Sequence, residues 1–150
     1  MRVSSIPGRR SLATYPFRIR IRAAYGDLDA NHHINNVALS RFVEEACASL
    51  NMQVFGEDVV VRPSGGVQLL TASVSIDFVA QGHYPGEVVA AAGVAAIGRS
   101  SFIYATALFQ PERCIAVAQT TLVYARDGAG VPVPQTVRAA MEPWLLRAAA

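Results

Sequence analysis

Between Tyr25 and Asn36 the chain gathers Tyr25, Asp27, Asp29, His32, His33, Asn35 and Asn36, a run rich in side chains that can move a proton or attack a carbonyl. Such a cluster needs explaining in a sequence that is 52% hydrophobic and only 16% charged. A carboxylate can act as a nucleophile or as a base toward water, and an imidazole can take or give a proton. Each residue also has a structural use. Asp27 reads as a loop cap through an Asx turn, and Asp29 could cap in the same way. Asn35 reads as a helix N-cap. Tyr25 reads equally as an orienting hydroxyl or as a core aromatic at a strand end.

The neighbouring elements give the cluster its setting. Before it, Phe17-Arg18-Ile19-Arg20-Ile21-Arg22-Ala23 alternates strictly between apolar and charged residues, which predicts a half-buried strand. After it, Val37, Phe42, Val43, Ala46, Cys47 and Leu50 recur at helical spacing, predicting one long helix over residues 36–52. The first N–H groups of that helix lack intrahelical acceptors and carry the positive end of the macrodipole. A connector containing Pro63, Gly65 and Gly66 then leads to strand-like runs over residues 67–79, 87–97, 101–109 and 114–125. The turns between them are too short for parallel crossovers, so these strands must be antiparallel neighbours. Residues 135–147 read as a short helix interrupted by Pro143. Many strand positions are apolar on both faces, so the helix is expected to cover one side of the sheet and a partner chain the other. The layout is α+β: an antiparallel sheet of about five strands on one long helix, with residues 1–16 a flexible tail and 17–150 one domain.

Composition narrows the function. The net charge of +2 is too small to imply nucleic acid, and the arginines of the first strand read as a solvated or guarded edge. A contribution from them to binding cofactor phosphates is the lesser alternative. Lysine is absent, which leaves no residue for Schiff-base chemistry. Cys47 and Cys114 show no metal-ligand spacing and read as small packing residues in a reducing compartment. No apolar run reaches the roughly 20 residues of a membrane span, and the first residues have no apolar stretch of the secretory kind. The expected compartment is the cytoplasm, with neither nucleic acid nor membrane as a partner.

The run Asp27, Asp29, His33, Asn35, Asn36 resembles the D-x-D-x-x-x-H-x-N-N signature of the hot-dog thioesterases related to 4-hydroxybenzoyl-CoA thioesterase. The likeness extends to Phe42-Val43-Glu44-Glu45-Ala46 in the helix, to Gly98-Arg99-Ser100-Ser101 between strands, and to Val131-Pro132-Val133-Pro134 before the last helix. It implies a hot-dog fold and hydrolysis of an acyl-CoA or aryl-CoA. Asp29 stands at the catalytic carboxylate, and the backbone N–H of Asn36 at the donor that polarises the thioester oxygen. Tyr25, His33 and Asn35 fall among the substrate-contacting loop positions. Arg99, Ser100 and Ser101 are candidates to touch pantetheine or phosphates, since arginine suits phosphate geometry; a plain turn is the alternative. Another hot-dog branch uses a helix glutamate. With Asp29 present, Glu44 or Glu45 reads instead as facing the sheet edge or pairing with an arginine. His83 reads as surface. His32 stands where relatives usually carry glycine, and Leu39 and Cys47 replace a common tyrosine and arginine.

The resemblance implies no metal or redox cofactor, coenzyme A being part of the substrate. It implies a homodimer or homotetramer whose sites draw on two chains, and an acyl carrier protein is the alternative acyl donor. Two other functions stay open at this point: a hydratase or dehydratase acting on acyl thioesters, and a non-catalytic acyl-thioester binding module.

Overall fold

The computed structural model of the chain describes residues 1–61 and 65–149. The alternating segment forms β1 (Phe17–Arg22), with Phe17, Ile19 and Ile21 packed on the core and the three arginines exposed. A loop leads to α1 (Asn36–Phe55) and then to a single turn of helix, α2 (Glu57–Val60). Four long strands follow: β2 (Val67–Phe78), β3 (Glu87–Ile97), β4 (Ser101–Phe109) and β5 (Cys114–Arg126). A two-residue β6 (Ala129–Gly130) pairs with the end of β5, and α3 (Gln135–Met141) comes last. The order across the sheet is β1-β3-β4-β5-β2, and every pairing is antiparallel.

This is the hot-dog fold: a curled sheet wrapped on one long helix. Phe42, Val43, Ala46 and Leu50 of α1 are buried against Val88, Ala90, Ala92, Phe102, Leu108, Ala116 and Ala118 of the sheet. The alanines on both surfaces let helix and strands approach closely, and truncating a buried residue such as Phe42 to Ala typically costs about 3–5 kcal/mol. Cys47 lies in the same interface, its sulfur 3.6 Å from Thr106 Oγ1 and 3.8 Å from Thr120 Oγ1. Burial pushes that thiol up from its ordinary value.

Several boundaries differ from expectation. Helix α1 runs to Phe55 rather than residue 52, because Phe55 packs on Phe102 and Tyr124, and the stop comes at Gly56 with φ +85°. The last helix ends at Met141; a single tight turn, Glu142–Trp144, contains Pro143 and sends the chain on extended. Of the expected connector, Pro63 falls outside the described residues.

Residues 1–16, expected as a free tail, lie packed on the outer face of the sheet. Val3 and Tyr15 are buried there against Ala91, Ala105, Ala107, Phe109 and Val117. The Tyr15 hydroxyl donates to the Arg9 carbonyl at 2.6 Å, and Ser4 N donates to the Asp77 carboxylate at 2.8 Å. The C-terminal segment runs beside it: Leu146 N donates to Val94 O at 3.0 Å and Arg147 N to Thr14 O at 2.8 Å. The outer face of β3 and β4, expected to need a partner chain, is thus covered by this chain's own two end segments. Gly93 makes the contact possible, since a Cβ there would lie 2.6 Å from Leu146 Cδ2 and 2.8 Å from Pro16 Cδ. Gly93→Ala is expected to destabilise by about 1–3 kcal/mol through overpacking, seen as a lower denaturant midpoint.

At the far end of the sheet, no strand among the described residues pairs with the outer side of β2. β2 is an edge strand of 12 residues, with Leu70, Val74 and Phe78 exposed at 39%, 48% and 51%. Among the described residues no helix is long and apolar enough to cross a membrane.

Candidate active site

The loop joining β1 to α1 is built from short-range backbone bonds. It opens with a 3-10 turn, Tyr25–Asp27, which Asp27 fastens on three sides. One carboxylate oxygen of Asp27 accepts from Ala24 N at 2.8 Å, and the other takes the Arg41 guanidinium at 2.8 Å. Its carbonyl accepts from Asn35 N at 2.8 Å. With a side chain only 12% exposed, Asp27 is a structural clasp, though through Ala24 and Arg41 rather than the expected Asx turn; the bond from the N–H two residues on is made at Asp29 instead. Asp27→Ala leaves those donors unpaired and is expected to cost about 1–3 kcal/mol of stability, read from thermal or denaturant unfolding.

Asp29 stands one turn further on. Its Oδ1 accepts from Asn31 N at 2.8 Å and His33 N at 3.2 Å. Its own N–H donates to His33 O at 2.9 Å, and its carbonyl accepts from His32 N at 3.1 Å. The other carboxylate oxygen, Oδ2, has no hydrogen-bond partner among the described residues. So tight a loop needs a left-handed residue at its tip, and His32 supplies it at φ +61°. Glycine, which the resemblance leads one to expect at this position, would adopt it freely, whereas for most residues with a Cβ the conformation costs about 1–2 kcal/mol.

Asn35 is the N-cap of α1, its Oδ1 accepting from Ala38 N at 2.7 Å. Its side chain is therefore spent on the helix. Asn36 is the first helical residue. Neither its N–H nor that of Val37 has an acceptor among the described residues, as the geometry of a helix start requires.

Asp29, His33 and Asn36 line one cleft of about 280 Å³. Asn31 and Ile34 of the loop, Leu39 of α1, Phe78 at the end of β2, and Ala80 and Gln81 beyond it complete the walls. The last three were not foreseen, because they come from a distant part of the chain and carry no motif. Tyr25 is not in the cleft: it is 77% exposed, with its ring edge-on to Tyr84 at 6.0 Å.

Arg99, Ser100 and Ser101 are not brought to Asp29 within the protomer. They lie at the other end of β4, whose length at about 3.4 Å per residue puts them roughly 25–30 Å away. Their turn is tied by its carbonyls: Arg99 O accepts from Val133 N at 2.8 Å, and Ser100 O from Tyr124 N at 2.9 Å. Glu44 and Glu45 are exposed. Glu44 faces the β2 edge across a hollow of about 340 Å³ shared with Asn51, Val59 and Leu69. That hollow contains no residue of the helix start. Among the described residues no three His, Cys, Asp or Glu side chains gather closely enough to hold a metal ion.

The cleft thus combines a carboxylate that has one tethered and one unengaged oxygen with Asn36, the first residue of a helix whose leading N–H is unpaired among the described residues. Such a pair can supply an attacking or activating oxygen on one side and a hydrogen bond to a developing oxyanion on the other.

Comparison with known proteins bears on the family and the fold. The thioesterase superfamily model matches residues 31–115, a span that includes His33, Asn35 and Asn36 and begins just after Asp29. A search of curated proteins returns no match. Among solved structures, the PA5185 protein of Pseudomonas aeruginosa superposes with a TM-score of 0.78 at 25% identity, over 93% of this chain and 99% of that one. A Thermus thermophilus thioesterase complexed with coenzyme A and zinc gives 0.73 at 21% identity, over 85% and 92%. A gentisyl-coenzyme A thioesterase gives 0.72 at 20% identity, over 83% and 98%.

Proposed function

The chain belongs to the thioesterase superfamily, whose reaction is thioester hydrolysis, and from that premise we propose that it cleaves an acyl-CoA or aryl-CoA to the free acid and CoA, with Asp29 as the catalytic carboxylate. The observation that carries this reading is the shared cleft of Asp29 and the first N–H of α1. Asp29 Oδ2 either attacks the thioester carbonyl carbon or takes a proton from the water that does. In the first route the C–S bond breaks, CoA thiolate leaves, and water hydrolyses the resulting anhydride. In the second, hydroxide adds and the tetrahedral oxyanion collapses with loss of the same thiolate. In both, the Asn36 N–H meets the oxygen as it becomes negative. Neither route calls on a metal or redox cofactor.

The β2 edge, unpaired among the described residues and with Phe78 both exposed and part of the cleft, supports a homodimer paired along that strand, with coenzyme A at the boundary between chains. In such a pair the partner's Arg99–Ser101 turn, rather than this chain's own, comes to the Asp29 end. The two cysteines are unpaired, which suits the cytoplasm. An acyl carrier protein as donor is the variant to test beside CoA. For a hydratase, a His and a carboxylate must face each other across the acyl chain. Here Asp29 and His33 are neighbours in one loop, joined through their backbones, and nothing favours that reading.

The test is a panel of aliphatic and aromatic acyl-CoAs with free thiol as the readout. Thiol release is expected from at least one class, whereas tight binding with no cleavage of any member would leave a binding module instead. A single turnover in ¹⁸O-water tests the first route: label found in Asp29 requires the anhydride, hydrolysed by attack of water on its Asp29 carbonyl carbon, whereas label in the product acid alone fits both routes.

A further inference from the structure

The segment of residues 81–86, between β2 and β3, has the composition of an exposed turn, yet it runs along the whole loop that carries Asp29. Ala23 N donates to Gly86 O at 3.0 Å, and Ile34 N to Gly82 O at 2.9 Å. Between these anchors the Tyr25 ring meets Tyr84, and the His33 ring meets His83 edge-on, with centroids 5.6 Å apart and planes at 66°. Gly82 is pressed so closely that a Cβ there would lie 3.1 Å from Ile34 Cδ1 and 3.2 Å from Ile115 Cδ1.

The turn is itself clamped from behind. The Gln110 side chain accepts from His83 N at 2.7 Å through Oε1 and donates to His83 O at 2.7 Å through Nε2. Arg113 donates to the Gln81 carbonyl at 2.6 Å. His83 is exposed, as its surface reading expected, so the two-point hold serves the placement of its backbone rather than burial. The clamp fixes the His83 backbone, from which the imidazole lies against the ring of His33, whose own N–H holds Asp29 Oδ1. A continuous chain of contacts therefore runs from Gln110 through His83 and His33 to the carboxylate.

We propose that His83, held by Gln110, is a positioning residue for thioester cleavage, buttressing the His33 ring and through it the orientation of the Asp29 carboxylate. The proposal rests on the thioesterase reading of the Asp29 cleft. It separates two jobs inside the loop: Asp27 fastens the loop to the helix, while the neighbouring turn sets the direction of Asp29.

The test uses the full-length protein and whichever acyl-CoA the wild type cleaves. Misaligned catalytic groups lose rate more than affinity, so His83→Ala is expected to lower kcat roughly tenfold with KM within about twofold. His83→Phe, which keeps an aromatic ring against His33, is expected to restore most of that loss. Gln110→Ala is expected to fall between them. Amide exchange at Asn31 and His33, the two donors to Asp29, should accelerate in His83→Ala at an unchanged unfolding midpoint. Wild-type kcat in His83→Ala would overturn the proposal. So would a His83→Phe variant as slow as His83→Ala, because the imidazole would then be acting chemically. If the wild type cleaves no thioester, the functional reading fails, but amide exchange still decides whether His83 orders the loop.

Discussion

Asp29→Asn is expected to lower kcat for thioester cleavage by about 10²–10⁴-fold, the range that one positioned acid or base contributes. The substitution is chosen for what it preserves. An Asn carbonyl oxygen at the Oδ1 position can still accept from Asn31 N and His33 N, so the loop keeps its shape. What disappears is the charge of the carboxylate and the basicity of its unengaged oxygen. KM and the unfolding midpoint should move little, and the loss should be nearly the same for every acyl group tested. An Asp29→Asn protein with wild-type kcat would remove Asp29 from the mechanism. Asp27 makes the contrasting case: the effect of its replacement is expected chiefly in stability, since its oxygens serve Ala24 and Arg41.

The second large effect is expected from Asn36→Pro, at about 10²–10³-fold in kcat, the usual worth of one oxyanion donor. Proline has no N–H, yet the first helical position tolerates it well because that N–H is unpaired in any helix. Asn35, which would precede the proline, already has φ −73° and ψ 159°, within the extended region that proline requires of its neighbour. Helix α1 should therefore form as before, by circular dichroism and by unfolding midpoint. Asn36→Ala keeps the N–H and is expected to retain most activity, because the donor belongs to the backbone. If Asn36→Pro cleaves as fast as wild type, the oxyanion is held elsewhere.

These two experiments concern residues that a linear reading could find, since Asp29 and Asn36 lie in one short loop and the helix start follows from the N-cap at Asn35. The strands were equally legible: β3 and β4 coincide with their strand-like apolar runs, because in antiparallel neighbours joined by short turns the chain itself states where pairing begins. What escaped notice depended on register. Phe78, Gln81 and His83 reach the Asp29 loop only because β1 pairs with β3 so that Arg22 lies opposite Glu87, and no local pattern announces that alignment. Residues 1–16 escaped for another reason. Their hold on the sheet comes from separate anchors, Val3, Leu12 and Tyr15, with no helical or strand periodicity linking them. The apolar outer positions of β3 and β4 were correctly read as needing cover, but composition alone could not say that the cover belongs to the same chain.

The bond from Arg147 to Thr14 has a consequence for how the protein comes off the ribosome. Strands β3 and β4 are made well before Leu146, so their alanine-lined back stays greasy and half dressed while β5 and α3 are being synthesised. That outer face closes only when residues 145–147 are laid beside Thr14 and β3. Losing residues 145–149 would therefore be felt first as nascent chains that clump or call on chaperones, and only afterwards, among the survivors, as any change in turnover.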